Sequence, residues 1–194
     1  MTTPRAAVAL MVTANMGSMV GVFAFPALLP AFMAEWSLSS GEAGFITGVF
    51  MTGYALAAAF LTSLTDRVDA RRVVLAFAVV GVLANLGFAG FATGFWSALG
   101  WRLLAGVALA GTFMPGMRAL ADRIEGPFQA RAVALYVSSF SLGTGVSFLL
   151  AGEIGGRLRW EWAFVAAAVW TTPSSAPRRP CRSPSARMPP APAR

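Results

Sequence analysis

Residues 63–74, SLTDRVDARRVV, decide how the rest of this chain is interpreted. Five of the seven residues from Asp66 to Arg72 are charged, whereas the stretches on both sides are apolar. Each of those stretches runs for roughly 20 residues, which as a helix is long enough to cross a hydrocarbon core about 30 Å thick. Charge between two such stretches is expected at the membrane surface, where it can be paired or hydrated. The segment therefore predicts a tight turn between two transmembrane helices.

The composition agrees with this interpretation. The chain has 194 residues, of which 57% are hydrophobic and 12% are charged, whereas a soluble domain usually carries about 25% charged residues. We predict an all-α, polytopic membrane protein with five complete transmembrane helices and a partial sixth. The predicted spans are residues 8–31, 43–63, 73–93, 98–117 and 133–152, with the partial helix starting at 162.

Several functional classes are disfavoured by what the sequence lacks. It contains no histidine and a single cysteine, Cys181, so the usual His and Cys metal sites and catalytic pairs cannot be built. It also has no phosphate-binding loop of the G-x-x-x-x-G-K-[ST] type. We therefore expect no metal, no cofactor and no enzymatic activity. Ten Arg oppose eight acidic residues before Trp170, a balance of 10 − 8 = +2, which gives no reason to expect a nucleic-acid partner.

The distribution of Arg predicts the orientation in the membrane by the positive-inside rule. One side of the predicted bundle holds Arg157 and Arg159, with Arg102 just inside a helix. The other side holds Arg5, Arg67, Arg71, Arg72, Arg118, Arg123 and Arg131. We therefore expect a cytoplasmic N-terminus, and residues 63–74 form a cytoplasmic turn in this prediction.

The end of the chain departs from the pattern. After about nine apolar residues from Trp162, a length that cannot cross a bilayer, the sequence becomes TTPSSAPRRPCRSPSARMPPAPAR. Pro at this density prevents a helix, so we predict a bundle over residues 1–171 and a disordered tail over residues 172–194. One hypothesis is that a reading-frame shift near Thr171 replaced the original continuation. The alternative is a genuine basic cytoplasmic tail.

Residues 63–74 resemble the signature of the major facilitator superfamily between helices 2 and 3, G-x-L-A-D-R-x-G-x-R-R. Thr62 and Asp69 stand where the family has Gly, and the matching residues are Leu64, Asp66, Arg67, Arg71 and Arg72. Three later segments resemble further family patterns in the right order. They are WRLLAGVALAGTFMP with Arg102 and Gly106, DRIEGPFQARAVAL with Pro127, Arg131 and Ala132, and AGEIGGRLRWEWAF with Gly155, Gly156, Arg159, Trp160, Trp162 and Phe164.

This resemblance implies the N-terminal six-helix half of a secondary transporter, here truncated or frame-shifted in helix 6. It implies a small-molecule solute moved by alternating access, a proton as candidate coupling ion, and a missing C-terminal half as partner. It further implies a bacterial inner-membrane location and a gating cluster in which Asp66 pairs with Arg67 or Arg131, beside Arg71 and Arg72. A rival hypothesis is a non-transporting membrane-interaction or assembly protein whose Arg-rich tail contacts anionic lipid.

Some polar residues within the spans have two possible roles. Arg102 either extends to the outer headgroups beside Trp96 and Trp101 or, as the family match implies, faces the central cavity and tunes a proton or an anionic substrate. The candidate cavity residues are Asn15 and Ser18 in the first predicted span, 8–31, and Ser138 and Ser141 in the fifth, 133–152. Their alternative role is close helix packing and interhelical hydrogen bonding. Glu153 and Arg157, four residues apart, are expected to form an exposed pair.

Overall fold

A computed structural model describes residues 4–65, 68–121 and 126–171. Within these ranges the chain is helical apart from short connections. The helices are α1 (Pro4–Ala27), α2 (Leu29–Glu35), α3 (Ser40–Thr65), α4 (Ala70–Phe91), α5 (Phe95–Ala121), α6 (Phe128–Arg157) and α7 (Glu161–Thr171). This confirms the predicted all-α membrane fold. The predictions for Asp66, Arg67 and the tail over residues 172–194 lie outside the described residues.

The first predicted span, residues 8–31, is two helices in the structure. The first, α1, ends at Ala27, and α2 continues at an angle of 48° after a single linking residue, Leu28. Pro26 lies inside α1 and Pro30 lies in the first turn of α2. Since proline has no amide hydrogen and its ring crowds the preceding turn, two prolines four residues apart account for the break.

Four single helices are long and apolar enough to cross a membrane, and the bent α1–α2 pair makes a fifth candidate. The four single-helix spans are Ser40–Leu61, Arg72–Phe91, Phe95–Arg118 and Phe128–Gly155. With its 11 residues, α7 reaches only about 16 Å at 1.5 Å per residue. Within the described residues α7 therefore extends from one surface to about the middle of the bundle.

The two ends of the bundle differ in chemistry. We call the end that carries Trp36, Trp96 and Trp160 the aromatic end, and the end that carries Asp69, Arg72 and Arg118 the charged end. At the aromatic end a buried cluster holds α2 and α7 against α4. Its rings include Phe32, Phe88 and Phe164, and Trp160 donates a hydrogen bond of 2.7 Å from Nε1 to Oε2 of Glu35.

On one side of the bundle, α5 lies between α3 and α4. It packs most extensively on α3 and α4, while α1 packs on α6 and α7 fills the groove between α1 and α4. The contact between α3 and α5 is very close at Gly106, where an added Cβ would overlap the Phe50 carbonyl oxygen. Gly106 therefore serves packing, and it lies only one turn from Arg102.

Candidate functional site

Arg102 is buried in the bundle, with 2% of its surface exposed. Its guanidinium reaches from α5 to the backbone of α1, where Nη1 donates to the Gly21 carbonyl oxygen at 3.3 Å and Nη2 donates to the Val22 carbonyl oxygen at 2.9 Å. The structure therefore places Arg102 neither at the outer headgroups nor on an exposed cavity wall. It joins two helices that are otherwise in limited contact.

The Val22 carbonyl can accept a hydrogen bond from Arg102 because a proline leaves it without a donor in its own helix. In an α-helix the carbonyl of residue 22 accepts from the amide of residue 26, and Pro26 has no amide hydrogen. A buried carbonyl without a donor costs about 1–3 kcal/mol. Arg102 supplies the donor that Pro26 lacks, so the bend in α1 and the position of α5 are linked through one side chain.

The rest of the Arg102 environment is apolar. Its guanidinium carbon lies 4.6 Å from the centre of the Phe50 ring and 5.2 Å from that of Phe25, both suitable for cation–π attraction. Nε is buried without a hydrogen-bond partner. Among the described residues no carboxylate pairs with it, since the two ion pairs found there, Glu153–Arg157 and Arg159–Glu161, lie at the aromatic end. Carbonyl dipoles and ring faces balance this charge.

A polar seam joins α1 to α6. Asn15 donates from Nδ2 to Ser139 Oγ at 2.8 Å, and Ser139 donates to the Tyr136 carbonyl at 2.6 Å. Further along, Ser147 donates to the Val20 carbonyl at 2.8 Å. All three side chains of this seam, Asn15, Ser139 and Ser147, are buried. Asn15 thus packs helix against helix in the structure and does not line an open cavity.

The two predicted cavity residues on α6 lie outside this buried seam. Ser138 and Ser141 are exposed, together with Gly145 one turn further. Sequence spacing alone did not distinguish them from Ser139, which lies on the buried stripe with Gly143 and Ser147. The signal that separates the stripes is Tyr136, because a tyrosine one turn before Ser139 is more readily placed against another helix than toward an open path.

Ser18 lies between the buried and exposed positions. Its Oγ donates to the Asn15 carbonyl at 2.7 Å, one turn back along α1. The side chain borders a small recess between α1, α4, α5 and α7, whose polar lining also includes Asn85, Thr112 and Thr171. The structure therefore brings Ser18 together with residues of other helices that the sequence did not single out.

The predicted gating cluster is only partly described. Arg72 is exposed in the first turn of α4, and Arg131 is exposed in the first turn of α6 at the same end of the bundle. The Asp69 carbonyl accepts the amide hydrogens of Arg72 and Val73, which fixes the start of α4. Arg71 lies in α4, and nothing is described of its side chain. The pairing of Asp66 with Arg67 or Arg131 stays a prediction.

The aromatic end bears out one smaller prediction. Glu153 and Arg157 form an ion pair of 2.8 Å with side chains 65% and 79% exposed, which confirms the exposed pair expected from their spacing. Among the described residues, no group of three or more His, Cys, Asp or Glu side chains lies close enough to hold a metal ion. The described side chains thus provide buried hydrogen bonds between helices and exposed hydroxyl groups.

These features define a multi-pass helical membrane bundle with buried hydrogen bonds between its helices and with charge concentrated at its ends. The family model described as Major Facilitator Superfamily matches residues 11–184. The chain belongs to this family of membrane transporters. It is similar to the uncharacterized MFS-type transporter YcaD of Salmonella dublin, with 25% identity over 131 residues, and to the protein of the same name of Salmonella arizonae, with 26% identity over 131 residues. In both cases the match covers 68% of this chain and 34% of the relative, so the matched part spans about a third of their length.

Proposed function

We propose that this chain forms one half of a secondary active transporter that moves a small solute by alternating access, with a second six-helix half as its partner. The observation that carries the proposal is the family match together with the two faces left uncovered on α3 and α6. The matched relatives are about three times longer than the region shared with this chain, which leaves room in them for a second half.

The faces on α3 and α6 have the composition of a helix-packing surface. Gly44 and Gly48 on α3 and Gly145 and Gly152 on α6 have no atom within 4 Å of an added Cβ. A glycine inside a helix costs about 1 kcal/mol relative to alanine, and these four give no packing advantage within the described bundle. Small residues let helices approach closely in membranes. We infer that the second half packs against these faces.

Ser138 and Ser141 are the proposed solute contacts on this half. They lie exposed in the middle part of α6, and the charged residues of that helix, Arg131, Glu153 and Arg157, lie near its ends. Exposed hydroxyl groups between apolar side chains suit an uncharged polar solute that exchanges its hydration for hydrogen bonds. A proton stays the candidate coupling ion. The described carboxylates lie near the helix ends, so its carrier would belong to the second half.

The charged end is the proposed gate. In this proposal Asp66 pairs with Arg67 or Arg131 when the gate is closed, and Arg71 and Arg72 complete the cluster. A bidentate Arg–carboxylate pair is directional, so it can hold one arrangement of the two halves until the solute displaces it. The exposed positions of Arg72 and Arg131 at one end support this, and so does the positive-inside rule, which favours a cytoplasmic position for that end.

The decisive experiment is reconstitution of the full chain in proteoliposomes, with and without a co-expressed C-terminal half of a matched relative. Uptake of a panel of labelled neutral and charged solutes is measured. We expect saturable uptake of a neutral solute only when both halves are present. Asp66→Asn should reduce it with unchanged membrane insertion, whereas the control Glu153→Gln at the other end should not.

Two results would contradict the proposed transport or its gate, and a third would contradict the proposed orientation. One is the absence of uptake for every solute with both halves present and co-purifying, which would favour the membrane-interaction protein. The other is full uptake by Asp66→Asn, which would remove the gate while leaving the transporter. Cysteine labelling that finds the charged end outside the cell would reverse the proposed orientation.

A further inference from the structure

A small recess lies between four helices near the middle of the bundle. It is bordered by α1, α4, α5 and α7, and each contributes one side chain that carries oxygen: Ser18, Asn85, Thr112 and Thr171. The space open to the centre of a water-sized sphere is about 20 Å³. Since one water needs about 10–15 Å³ measured in this way, the recess has room for one molecule of that size.

The hydrogens of the bordering hydroxyl groups are already used. Ser18 donates to the Asn15 carbonyl at 2.7 Å, Thr112 to the Ala108 carbonyl at 3.1 Å and Thr171 to the Ala167 carbonyl at 2.7 Å. A hydroxyl group has one hydrogen and two lone pairs. Each of these three oxygens can therefore act only as an acceptor toward anything in the recess.

Asn85 adds the complementary group. One hydrogen of its amide nitrogen is donated to the Gly81 carbonyl at 2.9 Å, which leaves the other hydrogen and the amide oxygen. The recess thus offers several acceptors and one donor. A water molecule, with two hydrogens to donate and lone pairs to accept, matches this set.

A metal cation fits less well. The guanidinium of Arg102 donates to the carbonyls of Gly21 and Val22, two residues that also border the recess. A second positive charge so close to a buried guanidinium would be repelled strongly in an apolar environment. All four oxygen-bearing side chains are neutral, so nothing in the lining compensates for that repulsion.

We propose that this recess binds a single water molecule that joins α1, α4, α5 and α7. The water takes the place of direct side-chain bonds between these helices, because each lining side chain is satisfied on its own helix. Such a bridge can exchange partners when the helices shift, without leaving a buried polar group unpaired. Ser18 then acts as a hydration-site residue within this half.

The first test is solid-state NMR on the full chain in deuterated lipid, with transfer of magnetisation from water to the side-chain amide of Asn85. Gly81→Ala directs a methyl group into the recess, at ordinary contact distances of 3.5 Å from Ala108 Cβ and 3.6 Å from Thr171 Cγ2. Gly90→Ala on the same helix is the control, because no atom lies within 4 Å of its added Cβ. We expect a water cross-peak in the wild type and in Gly90→Ala, and its loss in Gly81→Ala.

The second test measures the midpoint of thermal unfolding in micelles for Thr112→Val and Thr52→Val. Both threonines donate to the carbonyl four residues earlier at 3.1 Å, and Thr112 shares its hydrogen with the Leu109 carbonyl, also at 3.1 Å. Thr52 is exposed and away from the recess. We expect the midpoint of Thr112→Val to fall below that of Thr52→Val by about 2–4 °C. A dry recess predicts an equal or higher midpoint, since a buried hydroxyl would be replaced by a methyl group.

Any of three results would overturn the proposal. They are the absence of a water cross-peak at an observed Asn85 amide, a cross-peak that persists in Gly81→Ala, and a midpoint for Thr112→Val at or above that of Thr52→Val. A cross-peak from lipid chains in place of water would show that an acyl chain fills the recess.

Discussion

The link between Pro26 and Arg102 can be tested by a double-mutant cycle. Pro26→Ala restores an amide hydrogen for the Val22 carbonyl, and Arg102→Met removes the side chain that now donates to it at 2.9 Å. Arg102→Met by itself has opposing effects, because it relieves a buried charge but leaves a carbonyl without a donor. The difference between the two backgrounds isolates the second effect.

The expected coupling follows from the geometry. A hydrogen bond to a charged group contributes about 1.5–3 kcal/mol, and a buried unpaired carbonyl costs about 1–3 kcal/mol. In the Pro26→Ala background the Val22 carbonyl keeps a helical donor when Arg102 is replaced. We therefore expect Arg102→Met to reduce the free energy of unfolding by about 1–3 kcal/mol less in that background than in the wild type.

The assay is reversible unfolding of the full chain in mixed SDS and mild-detergent micelles, followed by tryptophan fluorescence. Pro115→Ala is the control partner for Arg102→Met, because Pro115 also lies inside a helix but is about 20 Å further along α5. That control pair should be additive within about 0.5 kcal/mol. Equal additivity for Pro26→Ala and Arg102→Met would refute the idea that Arg102 compensates for the proline.

Four further substitutions test other contacts. Gly106→Ala should lower the free energy of unfolding by about 1–3 kcal/mol, because its methyl group overlaps the Phe50 carbonyl; Gly48→Ala, with open space around it, should instead leave stability equal or higher, and the reverse order would contradict the packing. Ser39→Ala should cost about 1 kcal/mol in the same assay, since Ser39 and Glu42 exchange bonds at the start of α3. Arg157→Ala should change stability by less than about 0.5 kcal/mol, because its ion pair is exposed; a larger loss would indicate a buried role.

The helical fold and the positions of the spans could be predicted from the sequence because they depend on the length of apolar stretches and on where charge interrupts them. The 43–63 prediction, for instance, lies within the observed α3, Ser40–Thr65. The family was also recognisable, since its signatures occur at the helix junctions and the family match confirms it.

The direction in which each polar side chain points could not be predicted as well. Hydropathy indicates where along its membrane span Arg102 lies, but not which side of α5 meets α1. A single sequence also does not show that the partners of Arg102 are backbone carbonyls. The same limit applies to α6, where Ser138 and Ser139 are neighbours in sequence but Ser138 is exposed and Ser139 is buried. Helical spacing identifies stripes, and only tertiary packing shows which stripe is covered.

The buried position of Arg102 has a consequence for biosynthesis. An Arg at the centre of a membrane helix raises the free energy of insertion by about 2.5–3.5 kcal/mol. Arg102, the eighth residue of α5, adds a smaller cost of the same sign, and α5 has the lowest mean hydropathy of the four single-helix spans. The ribosome completes α1, whose carbonyls receive the guanidinium, well before α5 emerges. Insertion of α5 into lipid is therefore most favourable when α1 is already in the membrane beside the translocon. In this way α1 assists the insertion of α5.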